Sequence, residues 1–211
     1  LIRKRWGLVD EAQRATISGF LFNFIIEYAR KPQIFQPLLD EADLALVYVL
    51  IQEWPHNHTT FFNDIISAAG TSEAFCCNSL KLIELFCQLV LEDNDTEIPY
   101  AKSVELANNL QNISQTIYTF LGGVITSGSE NTKMISSALS TLKYFFRWLD
   151  PREIVSNQIF QSLCTDFLPN QAYVTPVLEL FYDLFSNELP DEIKPIVPRI
   201  FNLMITSLNA L

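Results

Sequence analysis

Leu106, Leu110, Ile113, Ile117, Phe120 and Val124 recur at steps of three and four residues. Such spacing lays an apolar stripe along one face of a helix about five turns long, and it fits no alternating strand. Ile17, Leu21, Phe24 and Tyr28 follow the same rhythm, as do Ile135, Leu139, Leu142, Phe146 and Leu149. β-Branched runs such as Val47-Tyr48-Val49 lie inside longer helical windows. The pattern predicts an all-α chain.

Local signals predict about nine helices along this chain. The first spans Glu11–Ala29, with Asp10 as N-cap. The second covers Gln36–Trp54 and stops at Pro55, which disfavours helical geometry at the residue before it. A short third, Thr60–Ala69, ends at Gly70, and Thr71 or Ser72 caps a fourth that reaches Leu91. Glu92–Pro99 reads as an acidic loop. A long fifth runs from Ala101 to Thr126 and breaks at Ser127-Gly128-Ser129. Inside it, Gly122-Gly123 reads as a point of close packing rather than a phosphate loop. The sixth covers Asn131–Leu149 and closes at Asp150-Pro151. Ser156–Phe167 and Gln171–Ser186 form the seventh and eighth, with Pro176 tolerated near a first turn, and a ninth begins near Asp191.

Taken in order, the helices form antiparallel pairs with a period of roughly 35–50 residues, the range of HEAT-type repeats. The expected architecture is a right-handed α-α superhelix, a solenoid of such pairs, rather than a single compact bundle. The expected divisions are 1–8 as the end of a preceding inner helix and repeats at 9–54, 55–91, 100–149 and 151–187, with 190–211 as the first helix of a further repeat. The chain opens on Leu1 and reads as an internal fragment of a longer protein.

Composition excludes several functions. The net charge is −10, and the only basic run is Arg3-Lys4-Arg5, so no nucleic-acid stripe is present. The acidic balance suits solubility or a basic protein partner. No apolar run reaches the roughly 18 residues of a membrane helix. Cys76, Cys77, Cys87 and Cys164 lack zinc spacing and read as buried thiols of an intracellular protein. Walker, Rossmann and nucleophile-elbow patterns are absent, so neither catalytic residues nor a cofactor are implied.

The stretch Ile51–Asn63 holds the chain's 2 histidines, His56 and His58, flanked by Glu53 and Asp64. A helical-bundle metal enzyme centred on His56 and His58 is one reading. The spacing lacks the i, i+4 pair of a helical zinc site, and solvated histidines at a helix corner are the alternative.

The wording of this corner carries more information. Gln52-Glu53-Trp54-Pro55, then Thr60-Phe61 and Asp64-Ile65, resembles the Q-E-W-P…W-P-T-F-I-S-D-I corner of the exportin-1 family of karyopherins. Thr71-Ser72-Glu73, Cys76 and Asn78 resemble that family's T-S-E-x-x-C-x-N, and Arg5-Trp6 and Arg147-Trp148 fall where the family has similar anchors. The departure lies at His58-Thr59, where the family has a second Trp-Pro; threonines there are able to cap the next helix.

The resemblance implies a nuclear export receptor that binds the GTP-bound small GTPase Ran. It implies transport of cargo bearing leucine-rich export signals, contact with nucleoporins, and shuttling between nucleus and cytoplasm through the nuclear pore. It implies no catalysis, no metal and no membrane insertion. Glu53, Trp54, Pro55, Thr60 and Phe61 become a structural repeat corner. Polar residues of the second helix of each pair, Glu41, Lys81, Glu84, Lys133 and Lys143, become candidates for Ran contact by position. The family's export-signal groove, with its reactive cysteine, lies in later repeats, so the four cysteines do not inherit that role. Another karyopherin, an importin or a different exportin, is the neighbouring reading.

Overall fold

The structure is a computed structural model that describes residues 5–29, 36–92, 98–186, 191, 194–195 and 197–208. All regular structure among them is helical. The chain divides into two compact units, Leu1–Asn109 and Leu110–Leu211.

The first unit opens with a 3-10 turn, Trp6–Leu8, followed by α1 (Glu11–Tyr28), α2 (Gln36–Glu53), α3 (Phe61–Ala69) and α4 (Glu73–Cys87). The Asp10 carboxylate caps α1 by accepting from the Gln13 N–H at 2.8 Å. Ser72 does the same for α4 through Phe75. Thr60 occupies the N-cap position of α3 but makes no cap bond; its hydroxyl donates to Asp64 Oδ2 at 2.7 Å. The expected threonine cap is therefore an Asp–Thr side-chain pair one turn into the helix. Helix α4 continues beyond Cys87 as a π turn, Gln88–Glu92. The acidic loop expected at 92–99 lies largely outside the described residues.

Helix α1 packs on α2, α3 on α4, and α2 also meets α4. The core includes Leu46, Leu50, Leu80, Ile83 and Phe86, each fully buried. The stretch Glu73–Glu92 has the length and mean hydropathy, 1.5, of a membrane span, a feature the apolar-run test passes over. More than half of it is buried within the protein, as in a core helix.

Helix α5 (Tyr100–Ile125) runs through the boundary between the units. In the second unit follow α6 (Thr132–Phe146), α7 (Pro151–Ser156), α8 (Gln158–Ser162), a π turn at Leu163–Phe167, α9 (Val174–Ser186) and α10 (Val197–Leu208). Asn131 caps α6 through Met134. Asp150 starts α7 as well as ending the previous segment, since its carboxylate accepts from the Arg152 N–H. The helix expected over Ser156–Phe167 starts at Gln158 and runs on through the π turn, and α7 before it is an additional helix; Asn157 separates the two, with extended backbone and a side chain that accepts from the Ile159 N–H at 3.0 Å. A short polar side chain that satisfies a nearby N–H competes with the helix ladder, and here it wins. Pro176 falls in the first turn of α9, where no ladder bond is lost. The last helix starts at Val197 rather than near Asp191; Asp191 and Lys194 sit in a turn, paired at 2.6 Å.

Helices α6 and α9 form the main contact of this unit, with Leu139, Leu142, Phe145, Val177, Leu180 and Phe181 buried. The fifth–sixth helix pair meets through Tyr118 and Phe146, with ring centroids 6.5 Å apart.

The two neighbouring glycines of α5 differ sharply. A Cβ on Gly122 would lie 2.3 Å from Ile159 Cδ1, whereas one on Gly123 would meet nothing within 4 Å. Gly123→Ala is expected to raise stability by about 0.5–1 kcal/mol through helix propensity alone. Gly122→Ala must displace Ile159, at an overpacking cost of about 1–3 kcal/mol that cancels or exceeds the same gain. Urea unfolding of both variants checks the order; Gly122→Ala more stable than Gly123→Ala contradicts it.

Candidate functional site

The corner at 53–62 is built from the end of α2 and the start of α3. The Trp54 N–H closes the last α2 turn on the Leu50 carbonyl at 2.8 Å, and the Trp54–Pro55 peptide bond is cis. Trp54 is buried and meets Phe62 and Phe86 edge-on, at 5.1 and 5.6 Å between ring centroids. Phe62 and Phe86 meet at 5.3 Å, and Phe61 joins through Phe62 at 5.2 Å and Phe22 of α1 at 5.7 Å. Such edge-to-face pairs each contribute about 0.5–1.5 kcal/mol beyond area burial.

Beside this cluster lies the Glu53 carboxylate, 7% exposed. Its Oε1 accepts from the Trp6 indole N–H at 2.6 Å and from Arg14 Nη1 at 3.1 Å, and its Oε2 accepts from the Asn57 amide. Burial alone would push this carboxyl up; hydrogen bonds from Asn57, Trp6 and Arg14, with the Arg14 charge, hold it below its ordinary value. The opening turn and α1 therefore meet the end of α2 and its corner, about forty residues on, at one carboxylate.

The histidines have separate tasks. His56 Nε2 lies 2.7 Å from Glu105 Oε1 on α5, and His58 faces the Phe22 ring at 5.7 Å. Lys102 joins the first of these contacts, reaching Glu105 Oε2 at 3.0 Å and the Trp54 carbonyl at 3.2 Å. Hydrogen bonding from Lys102 lowers the Glu105 carboxyl, burial opposes it, and His56 adds to the lowering. Glu53 is committed to its donors and Asp64 to Thr60, so neither carboxylate joins the two histidines. Among the described residues no group of three potential ligands is assembled for a metal.

The polar residues picked by position fall in both units. In the first, Glu41 is exposed on α2, and Glu84 is half-buried on α4. Lys81, also on α4, contacts Asp40 and reaches Asp43 Oδ2 at 2.9 Å. In the second, Lys133 is exposed on α6, and Lys143 is half-buried with its Nζ 4.9 Å from the Tyr144 ring centre. Trp6, Arg14 and Asn57 were missed as partners of Glu53, as was the buried pair Asp43 and Asn78. Asp43 left a signal: it lies on the apolar stripe of α2 between Leu39 and Leu46.

All four cysteines are thiols, three of them buried. Burial pushes Cys76 to about 11, with the neighbouring Cys77 and Glu73 adding to it, and burial pushes Cys164 to about 11 as well. Neither is a nucleophile at neutral pH.

Comparison with known proteins agrees with the corner's wording. The family described as "Exportin 1-like protein" matches residues 36–181. The chain belongs to that exportin 1-like family. Exportin-1 of Schizosaccharomyces pombe is 23% identical over 214 aligned residues, covering 100% of this chain and 20% of that protein. Exportin-1 of Drosophila melanogaster is 26% identical over 171 residues, covering 80% and 16%. Protein EXPORTIN 1B of Arabidopsis thaliana is 24% identical over 214 residues, covering 100% and 20%. The chain thus spans 20% or less of the length of these curated relatives.

The Glu53 contacts predict a pH response. Because its folded value is depressed, Glu53 contributes stability that is fully present above its ordinary value of 4.5 and is lost as pH falls through the lower folded value. Glu53→Gln should cost about 1–3 kcal/mol at pH 7 and flatten the decline of stability below pH 4.5. Urea midpoints measured from pH 7 downward check both. Parallel curves for the two proteins contradict the assignment.

Proposed function

We propose that this chain is part of a nuclear export receptor, in the arch that embraces Ran in its GTP-bound form. Family membership supports a transport receptor over an enzyme. The observation that carries the architectural half is the contact between second helices of successive pairs, α2 on α4 in the first unit and α6 on α9 in the second. That is the neighbour relation expected when HEAT-type pairs stack into a right-handed solenoid. In this reading the repeats divide at 9–54, 55–91, 100–149 and 151–187, with 190–211 opening the next.

Cargo bearing leucine-rich export signals binds through regions outside this chain. Nucleoporins are met during passage through the pore, and the receptor shuttles between nucleus and cytoplasm. No direct nucleic-acid contact and no membrane insertion belong to this reading. Glu41, Lys81, Glu84, Lys133 and Lys143 mark the partner-facing helices of their respective units. Glu41 and Lys133 are the exposed members and the first to vary. The net charge of −10 favours basic surfaces on the partner.

The test is capture by the full-length receptor of an export-signal peptide, with Ran loaded with GTP or GDP. Cooperative capture that requires GTP is the expected result, because two ligands favouring one state raise each other's affinity. GTP-dependent release of cargo would point to an importin instead. Equal capture with GTP and GDP contradicts the proposal.

A further inference from the structure

Asp43 is a fully buried carboxylate on the face of α2 that also carries Leu39, Leu46 and Leu50. An apolar side chain would ordinarily stand there. Instead Asn78 Nδ2 donates to both Asp43 oxygens, each at 3.0 Å, and Lys81 Nζ lies 2.9 Å from Oδ2. Lys81 also reaches Asp40. Asp40 and Asp43 are three residues apart on α2, and Asn78 and Lys81 are three apart on α4. Two one-turn rows are thus matched across the helix contact.

An ion pair with its carboxylate fully buried is a poor source of stability, since desolvation offsets its attraction. Burial indeed pushes Asp43 up, against the opposing hydrogen bonds from Asn78 and Lys81. Hydrogen bonds have sharp distance and angle requirements, whereas Leu–Leu contacts survive a slide along the helix axis. A one-turn slip of α4, about 5.4 Å, takes Asn78 off both Asp43 oxygens. What the cluster fixes is register.

We propose that Asp43 and Asn78 are positioning residues that set the register of α2 against α4. They thereby set the placement of Glu41 and Glu84 toward the GTPase. Glu41 lies between Asp40 and Asp43 on α2, and Glu84 lies three residues beyond Lys81 on α4, so each helix carries one candidate contact within a turn of the clasp. This inference rests on the Ran-binding reading above.

The test uses the full-length receptor and Ran loaded with GTP. Asp43→Leu combined with Asn78→Leu removes the buried half of the clasp without stranding a polar group, leaves Lys81, itself a candidate contact, on Asp40, and is measured at high salt so that the one charge lost does not act through long-range steering. The expected result is an unchanged or raised Tm with affinity for Ran-GTP lowered by roughly threefold to thirtyfold. Asp43→Asn serves as the second variant if the double variant does not fold, with a loss of affinity in the same direction. Glu41→Lys with Glu84→Lys tests direct contact separately. Weakening by this pair while the folded clasp variants bind like wild type overturns the positioning role and leaves the Ran reading standing. Wild-type affinity in all three overturns both. A lowered Tm with unchanged affinity of the folded protein also overturns the inference, because it marks a merely structural role.

Discussion

The first unit hangs on a carboxylate taken out of water. Glu53 ends α2, and an ionised group buried without partners would cost several kcal/mol. It is held instead by an indole, a guanidinium and an amide, contributed by the opening turn, α1 and the corner. The requirement for all three donors fixes where those segments lie. The aromatic cluster of Trp54, Phe61, Phe62 and Phe86 then fills the space beside it and carries the apolar part of the corner.

Apolar stripes and polar clusters divide the work. The stripes bury the helices and decide that they pack, but they leave sliding and rotation weakly specified. Two polar clusters in the first unit remove that freedom. Glu53 ties the ends of α1 and α2 together, and the Asp43 cluster ties α2 to α4. A surface that presents side chains from successive helices needs spacing held to a fraction of a helical turn. Polar contacts supply this better than leucines do.

Much of the helical plan was legible because its signals are local. Asp10, Ser72 and Asn131 cap within three residues of themselves, so residue type and position suffice. Asn157 obeys the same rule, capping a helix that starts two residues after the expected Ser156. The π turns at Gln88–Glu92 and Leu163–Phe167 have no residue signature at all. The polar clusters were hidden for a different reason. Trp6 and Glu53 are 47 residues apart, and Asp43 and Asn78 are 35 apart, so only the fold makes them neighbours. The histidines drew attention through proximity in sequence, but their side chains serve Glu105 and Phe22. The letters Glu53-Trp54-Pro55 marked the right place, while the reason for the glutamate lay at the start of the chain.

The most direct measurement of this account is hydrogen exchange at the Trp6 indole N–H, followed by NMR in the intact chain. The three tryptophans give three indole signals, and Trp6→Phe assigns one of them. A 2.6 Å bond to a buried carboxylate predicts slow exchange at Trp6 and a marked gain in rate in Glu53→Gln. Exchange at the rate of a free indole, or protection unaffected by Glu53→Gln, would contradict the claim that this carboxylate holds the first unit together.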